Sequence, residues 1–294
     1  MGAIITNLRE RFRLGNILTK LIYINVGVFL LVHLVGVLLT LFNAGDMPFM
    51  LYLELPSSPA TLLTRPWTLV TYMFTHYDFL HILFNMLWLY WFGGLFLNFF
   101  SERQLGGLYL LGGLAGAALF VLVYNIFPYF REVAAFSYLM GASASVMAIV
   151  FAISFYRKEL EVNLFLLGRI RLIYLALVVL AIDLLAMTSD NAGGHIAHIG
   201  GALLGIWFAS KMREGKDLTA PVNRLIDRLV NLGKRRARPK MRVTYKRPES
   251  DYDYNARKHR EEADIDAILD KLRKSGYESL SADEKRRLFD ASKR

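Results

Sequence analysis

The 294 residues contain no cysteine, which excludes disulfides and thiolate metal ligands without fixing the compartment. Charge is scarce as well. Asp, Glu, Lys and Arg make up only 20% of the chain against 54% hydrophobic residues, and the mean hydropathy is +0.33. That balance excludes an ordinary soluble domain. Also missing is a short apolar stretch with a small-residue cleavage site ahead of the first long apolar run, so that run is expected to be a membrane helix and not a removable signal.

What is present is a series of apolar runs at 20–42, 79–99, 104–126, 138–156, 169–187 and 193–212, each near the ~20 residues needed to cross a hydrocarbon core about 30 Å thick. The expected fold class is an all-α membrane protein with six transmembrane helices. Cations set the topology. Arg9, Arg11, Arg13 and Lys20 precede the first span, Arg103 follows the second, Arg157, Lys158, Arg169 and Arg171 surround the fourth-to-fifth connection, and Lys211, Arg213 and Lys216 follow the sixth. The alternate connections are poor in cations, so both termini are expected on the cytoplasmic side. The spans, together with the look of the chain, lead to the expectation of a bacterial inner membrane.

On that topology His81, Asn85, Ser143 and His198 all fall within the first turns of helices entering from the outer face, roughly 6–10 Å deep at about 1.5 Å per residue. Polar residues at such depth normally face a bundle interior or an aqueous cavity. Each has a plain structural reading. The small residues Gly141-Ala142-Ser143-Ala144 suit close helix packing, and a serine there returns its hydroxyl to the preceding turn. His81 and Asn85, four apart, share a helix face and suit interhelical hydrogen bonding. His198 stands beside Gly201 and Gly205, a small-xxx-small packing pattern. Together, however, they supply what acyl transfer needs: a nucleophile (Ser143), a base (His198), and donors for a developing oxyanion, namely the Ser143 N–H with the Asn85 and His81 side chains.

The segments GASAS at 141–145, AHIGGALLG at 197–205 and THYDFLHILFNMLWLYWFGG at 75–94 resemble the signature segments of rhomboid intramembrane serine proteases, in that family's order, within a resemblance that covers about residues 20–212. It implies a six-helix rhomboid-like bundle that cleaves transmembrane segments of other membrane proteins. It further implies a Ser143–His198 dyad with no required aspartate, oxyanion stabilisation by His81 and Asn85, and no metal or organic cofactor. The chain departs from the family pattern at Ala144, where glycine is usual and an added methyl narrows the surroundings of the serine. Met147 stands where an aromatic residue often packs on the histidine, and Trp67-Thr68 replaces Trp-Arg. His76 matches another common family histidine, expected to shape the first loop. The alternative function, for which Ala144 is the main argument, is a rhomboid-like pseudoprotease or scaffold that binds transmembrane segments without cutting them.

Other polar groups rank lower. His195 and His198 at i and i+3 suit a metal, but no acid adjoins them in a metalloprotease pattern such as HExxH. Asp183, in the fifth run at similar depth, is expected to be bonded to a helix neighbour or protonated, with depth alone leaving a third catalytic member open. His33 is expected in an interhelical hydrogen bond, and Gly112, Gly113 and Gly116 in helix packing. The chain divides by composition into a cytoplasmic segment (1–19), the membrane domain (20–212), a basic juxtamembrane segment and polar mobile linker (213–261), and a small helical hairpin (262–294). Its basic run, KRRARPKMRVTYKR at 234–247, lies just past a span and is read as attracting anionic lipid headgroups, in preference to nucleic acid. In the hairpin, Ser281 and Glu284 form a capping box after a break at Gly276-Tyr277. Natural substrates and oligomeric state are not legible in these residues.

Overall fold

The structure, a computed structural model, describes residues 6, 10, 12–43, 47–164, 168–232 and 251–291. The chain forms two units, residues 1–235 and 236–294. The six apolar runs form the helices of the first: α1 (Ile17–Leu41), α2 (Phe79–Leu97), α3 (Glu102–Ile126), α4 (Ser143–Tyr156), α5 (Leu172–Leu185) and α6 (Ala192–Arg213). The helices α1, α2, α3 and α6 are long and apolar enough to cross a membrane, so this is an integral membrane protein built as a helical bundle.

The fourth and fifth runs are corrected: α4 and α5 have only 14 residues each. Residues Tyr138–Leu139 form strand β2, paired antiparallel with strand β1 (Leu55–Pro56), and Gly168–Arg171 forms β4, paired with β3 (Glu161–Leu164). The ladders satisfy backbone groups that a longer helix would have satisfied internally. Gly141, at φ +115°, then turns the chain into α4. At ~1.5 Å per residue α4 covers about 21 Å of a core ~30 Å thick. If Arg157 and Lys158 at its far end mark one face, its first residue, Ser143, falls roughly 9 Å beneath the other.

Capping defines the helix starts. Asn16 accepts from the Thr19 N–H at 2.9 Å, Asp78 from the His81 N–H at 2.8 Å, and Ser101 with Gln104 forms a capping box. The central helix is α4, buried continuously from Ala144 to Ser154 and packed on α2, α3, α5 and α6. Glycines allow this. A Cβ on Gly201 would fall 2.0 Å from the Ala144 carbonyl oxygen, one on Gly205 2.4 Å from that of Ala148, and one on Gly112 2.4 Å from the Ala148 Cβ. By contrast α1 sits at the margin, with Leu30, Leu31, Leu34 and Leu41 exposed. It is tied in by Asn25, which donates to the Tyr109 hydroxyl at 3.1 Å while that hydroxyl donates to the Met73 carbonyl at 2.9 Å. His33, expected to bridge helices, instead spans the Phe29 carbonyl of its own helix and the Tyr77 carbonyl of the segment leading into α2, both at 2.9 Å.

After α6 the juxtamembrane segment contains α7 (Ala220–Leu232), an amphipathic helix. Its Asn223 donates to the Arg103 carbonyl at 3.1 Å, and Asp227 pairs with Arg103, while Leu225, Leu229 and Val230 are exposed. A helix with this division suits the membrane–water boundary. The basic run 234–247 lies outside the described residues. In the second unit, α8 (Asp251–Ser275) begins well before the expected hairpin boundary and takes in residues read as mobile linker. Asp251 and Asp253 in its first turn and Arg273 and Lys274 in its last favour it through the helix dipole. Gly276 at φ +77° ends it, and the Ser281–Glu284 capping box opens α9 (Ala282–Ala291).

The seating of α4 predicts that Gly201→Ala, which drives a methyl into a backbone carbonyl, costs about 3 kcal/mol and lowers the unfolding midpoint in detergent. Gly94→Ala, with nothing within 4 Å of the added carbon, should leave the midpoint in place.

Candidate active site

The turn before α4 is held from two sides. The Gly141 N–H donates to the Tyr72 carbonyl at 2.9 Å, and the Ala142 N–H donates to His76 Nε2 at 3.3 Å. Burial, with the His81 imidazole beside it, pushes the His76 pKa down to about 4. The ring is therefore neutral near pH 7 and keeps the lone pair that accepts from Ala142. His76, expected to shape the first loop, thus supports the turn preceding Ser143. Gly141 is required on two counts: its φ lies in the left-handed region, and a Cβ there would fall 2.8 Å from His81 Nε2 and 3.8 Å from Ser143 Oγ.

Ser143 opens α4, so its N–H belongs to the free donors at the positive end of a helix dipole. It lines a cavity of about 230 Å³ with His198, Asn85, Asp183 and the apolar Phe84, Trp88, Val146, Met147 and Val179. Three of the four expected residues therefore meet around one space. The fourth, His81, lines a separate outer cavity with Tyr77, Asp78, Tyr138 and Asp190, and touches the serine's surroundings through Gly141. One N–H of the Asn85 amide is taken by the His81 carbonyl at 2.9 Å, which leaves its second for the cavity. Of the two serines in GASAS, only Ser143 lines the cavity. Ser145 is fully buried and its Oγ has no hydrogen-bond partner among the described residues.

Ala144 does not narrow this space. It is not among the cavity residues; its Cβ lies 2.6 Å from where a Cβ on Gly116 would stand, on the side facing α3. Met147 does line the cavity beside His198, a position where a flexible, polarizable side chain fills irregular space.

Asp183, expected to be bonded to a helix neighbour or protonated, is bonded across to α6. Its Oδ1 lies 2.9 Å from His198 Nδ1 and 2.8 Å from His195 Nδ1, and the residue is only 4% exposed. A carboxylate oxygen only accepts, so Nδ1 of His198 carries the proton and Nε2 is the nitrogen left with a lone pair. The i, i+3 spacing of the two histidines and the depth of Asp183 were visible in the sequence, but their meeting required the packing of α5 on α6. No hydrogen bond joins Ser143 Oγ to His198 among the described residues.

A family model described as "Rhomboid domain" matches residues 63–214, and one described as "Family of unknown function (DUF6576)" matches residues 250–294. Among curated proteins the chain is 29% identical over 170 residues to the presenilin-associated rhomboid-like protein, mitochondrial, of Homo sapiens, covering 52% of this chain and 40% of that protein. It is 29% identical over 163 residues to RHOMBOID-like protein 12, mitochondrial, of Arabidopsis thaliana, covering 52% of this chain and 48% of that one. It is 32% identical over 84 residues to Rhomboid protease GlpG of Klebsiella pneumoniae subsp. pneumoniae, covering 29% and 27%. The chain thus spans less than half the length of each of these relatives.

Gly141→Ala is expected to strain the turn by about 1–3 kcal/mol and displace His81. The unfolding midpoint of the variant in detergent should fall below that of the wild type.

Proposed function

The chain belongs to the rhomboid family, and from that premise we propose that it is an intramembrane serine endopeptidase acting on transmembrane segments of other membrane proteins. One observation carries the reading: Ser143, His198 and Asn85, from α4, α6 and α2, line a single cavity, and the His198 ring is held at Nδ1 by a buried carboxylate.

In the proposed reaction Ser143 Oγ attacks a substrate carbonyl carbon while His198 Nε2 takes the hydroxyl proton. The carbonyl oxygen becomes negative at the N-terminus of α4, where the Ser143 N–H and the free N–H of Asn85 stabilise it, with His81 beside Gly141 as a further donor. His198 then gives its proton to the departing amine, and an acyl-enzyme remains. Water from the cavity, deprotonated by His198, attacks the ester and restores Ser143. Asp183 acts through His198 as a positioning residue, fixing the tautomer and steadying the imidazolium, which extends the dyad expected from the sequence. The apolar walls supplied by Phe84 and Trp88 of α2 and Val179 of α5 suit a hydrophobic segment approaching between these helices; Phe84 is exposed.

Binding without cleavage is the competing reading. Ala144, its main argument, faces away from the cavity. What favours it is the missing Ser143–His198 hydrogen bond, although such bonds commonly tighten only once substrate is in place. The basic run 234–247 is proposed to hold anionic headgroups beside the membrane. Two of the relatives described above are mitochondrial by name, so they lend no support to the bacterial inner membrane expected from the sequence.

Purified protein in liposomes, with a generic transmembrane substrate, should give cleavage that Ser143→Ala and His198→Ala abolish without unfolding the bundle. Asn85→Ala should lose roughly 10²-fold, the scale of one oxyanion donor. Equal product from wild type and Ser143→Ala would sink the proposal. Asp183→Asn should lower kcat by at least about tenfold with little change in KM; undiminished turnover would return the pair to a dyad.

A further inference from the structure

The Asp183 carboxylate serves two imidazoles, and proteolysis uses only one. His195 lies one turn before His198 on α6, and its Nδ1 reaches the same Oδ1 at 2.8 Å. The two rings stand edge to face with centroids 6.0 Å apart, and one ligand atom each from Asp183, His195 and His198 lie within 4.8 Å of one another. The side chains of His195 and His198 are 21% and 18% exposed, and His198 and Asp183 border the cavity, so an ion has a way in.

We propose that Asp183, His195 and His198 form a binding site for a divalent transition-metal ion of the zinc class, and that occupancy switches the protease off. Two imidazoles and a carboxylate match the ligand preference of Zn(II), leaving a fourth tetrahedral position for water. Bonds of ~2.0–2.1 Å place tetrahedral ligands about 3.3 Å apart. The Oδ1–Nδ1 separations of 2.8 and 2.9 Å are those of hydrogen bonds and need to open by about half an ångström, while the two imidazole nitrogens, within 4.8 Å of each other, need to close toward the same spacing for a metal to replace the protons. The missing acid had argued against a metal in the sequence, and α5 provides it.

Inhibition follows from the tautomer. With Asp183 on Nδ1–H, His198 Nε2 keeps the lone pair that takes the Ser143 proton. A metal on Nδ1 displaces that proton to solvent, and the neutral ring takes one at Nε2 in exchange. The nitrogen facing the nucleophile then donates and cannot accept, so the base is lost while the fold stands. This arm rests on the protease reading; the binding arm does not.

The test uses the full chain in detergent, with ZnCl₂ titrated calorimetrically and CoCl₂ read by its visible absorption. Wild type and Ser143→Ala should each bind one more equivalent of Zn(II) than His195→Gln, and should give tetrahedral Co(II) bands that His195→Gln lacks. Glutamine keeps a donor for Asp183 but is a poor ligand, and Asp183→Asn should lose the same equivalent. Saturating Zn(II) should lower wild-type cleavage at least about tenfold, reversibly with EDTA, and leave His195→Gln uninhibited. Equal Zn(II) uptake by wild type and a folded His195→Gln overturns the site. Uptake that depends on His195 while cleavage continues overturns the switch. If no cleavage is found under any condition, the protease reading fails and the Ser143→Ala titration still decides the site.

Discussion

The bundle depends on how closely α3 and α6 approach the short helix between them. Gly112 and Gly116 on one side, and Gly201 and Gly205 on the other, bring backbone or a methyl group of α4 to distances where no further Cβ fits. In a lipid environment, where apolar side chains gain little by leaving the tails, such close van der Waals contact is a main source of helix association. It has a positional consequence. A 14-residue helix buried on all sides has its first residue inside the protein and below the membrane surface, where Ser143 meets α2, α5 and α6. A longer, peripheral α4 would have presented the same serine to water.

Unpaired polar groups at that depth are costly, and apart from Ser145 Oγ and His76 Nδ1 the molecule answers by linking such groups across elements. His76 receives the N–H of Ala142, Tyr72 the N–H of Gly141, Tyr109 joins α1 to the loop carbonyl of Met73, and Asp183 joins α5 to two histidines of α6. Each link leaves a particular nitrogen or N–H uncommitted. At His198 it is Nε2, at Asn85 a single N–H, and at the start of α4 the N–H of Ser143. The groups left over are those that the proposed acyl transfer needs, because hydrogen bonding has assigned the others elsewhere. The shared use of Asp183 makes the same arrangement sensitive to any cation that competes for Nδ1, so the feature that orients the base also exposes it to control.

The legible part of the fold was what composition and local pattern govern. Apolar length marked the spans, and Ser281 with Glu284 marked the last helix. Less legible were departures from helix within apolar runs. Nothing in YLMGASAS announces that Tyr138–Leu139 pairs with Leu55–Pro56, since the partner lies more than eighty residues earlier and the pairing replaces hydrogen bonds a helix makes locally. The amphipathic α7 was overlooked because its neighbours are strongly basic. The early start of α8 was overlooked because its polar residues look like linker unless their charges are read against the helix dipole.

By itself the sequence determined the setting and the parts: a membrane bundle, rhomboid-like segments, and Ser143, His198, Asn85 and His81 at a common depth. These follow from hydropathy, periodicity and motif order, which are properties of neighbours along the chain. Only the tertiary structure decided that Ala144 turns toward α3, that His81 stands one residue outside the cavity, and that Asp183 binds both histidines. Those outcomes depend on which faces of separate helices meet, and a one-dimensional pattern carries depth along each helix axis but not the rotation of one helix against the next.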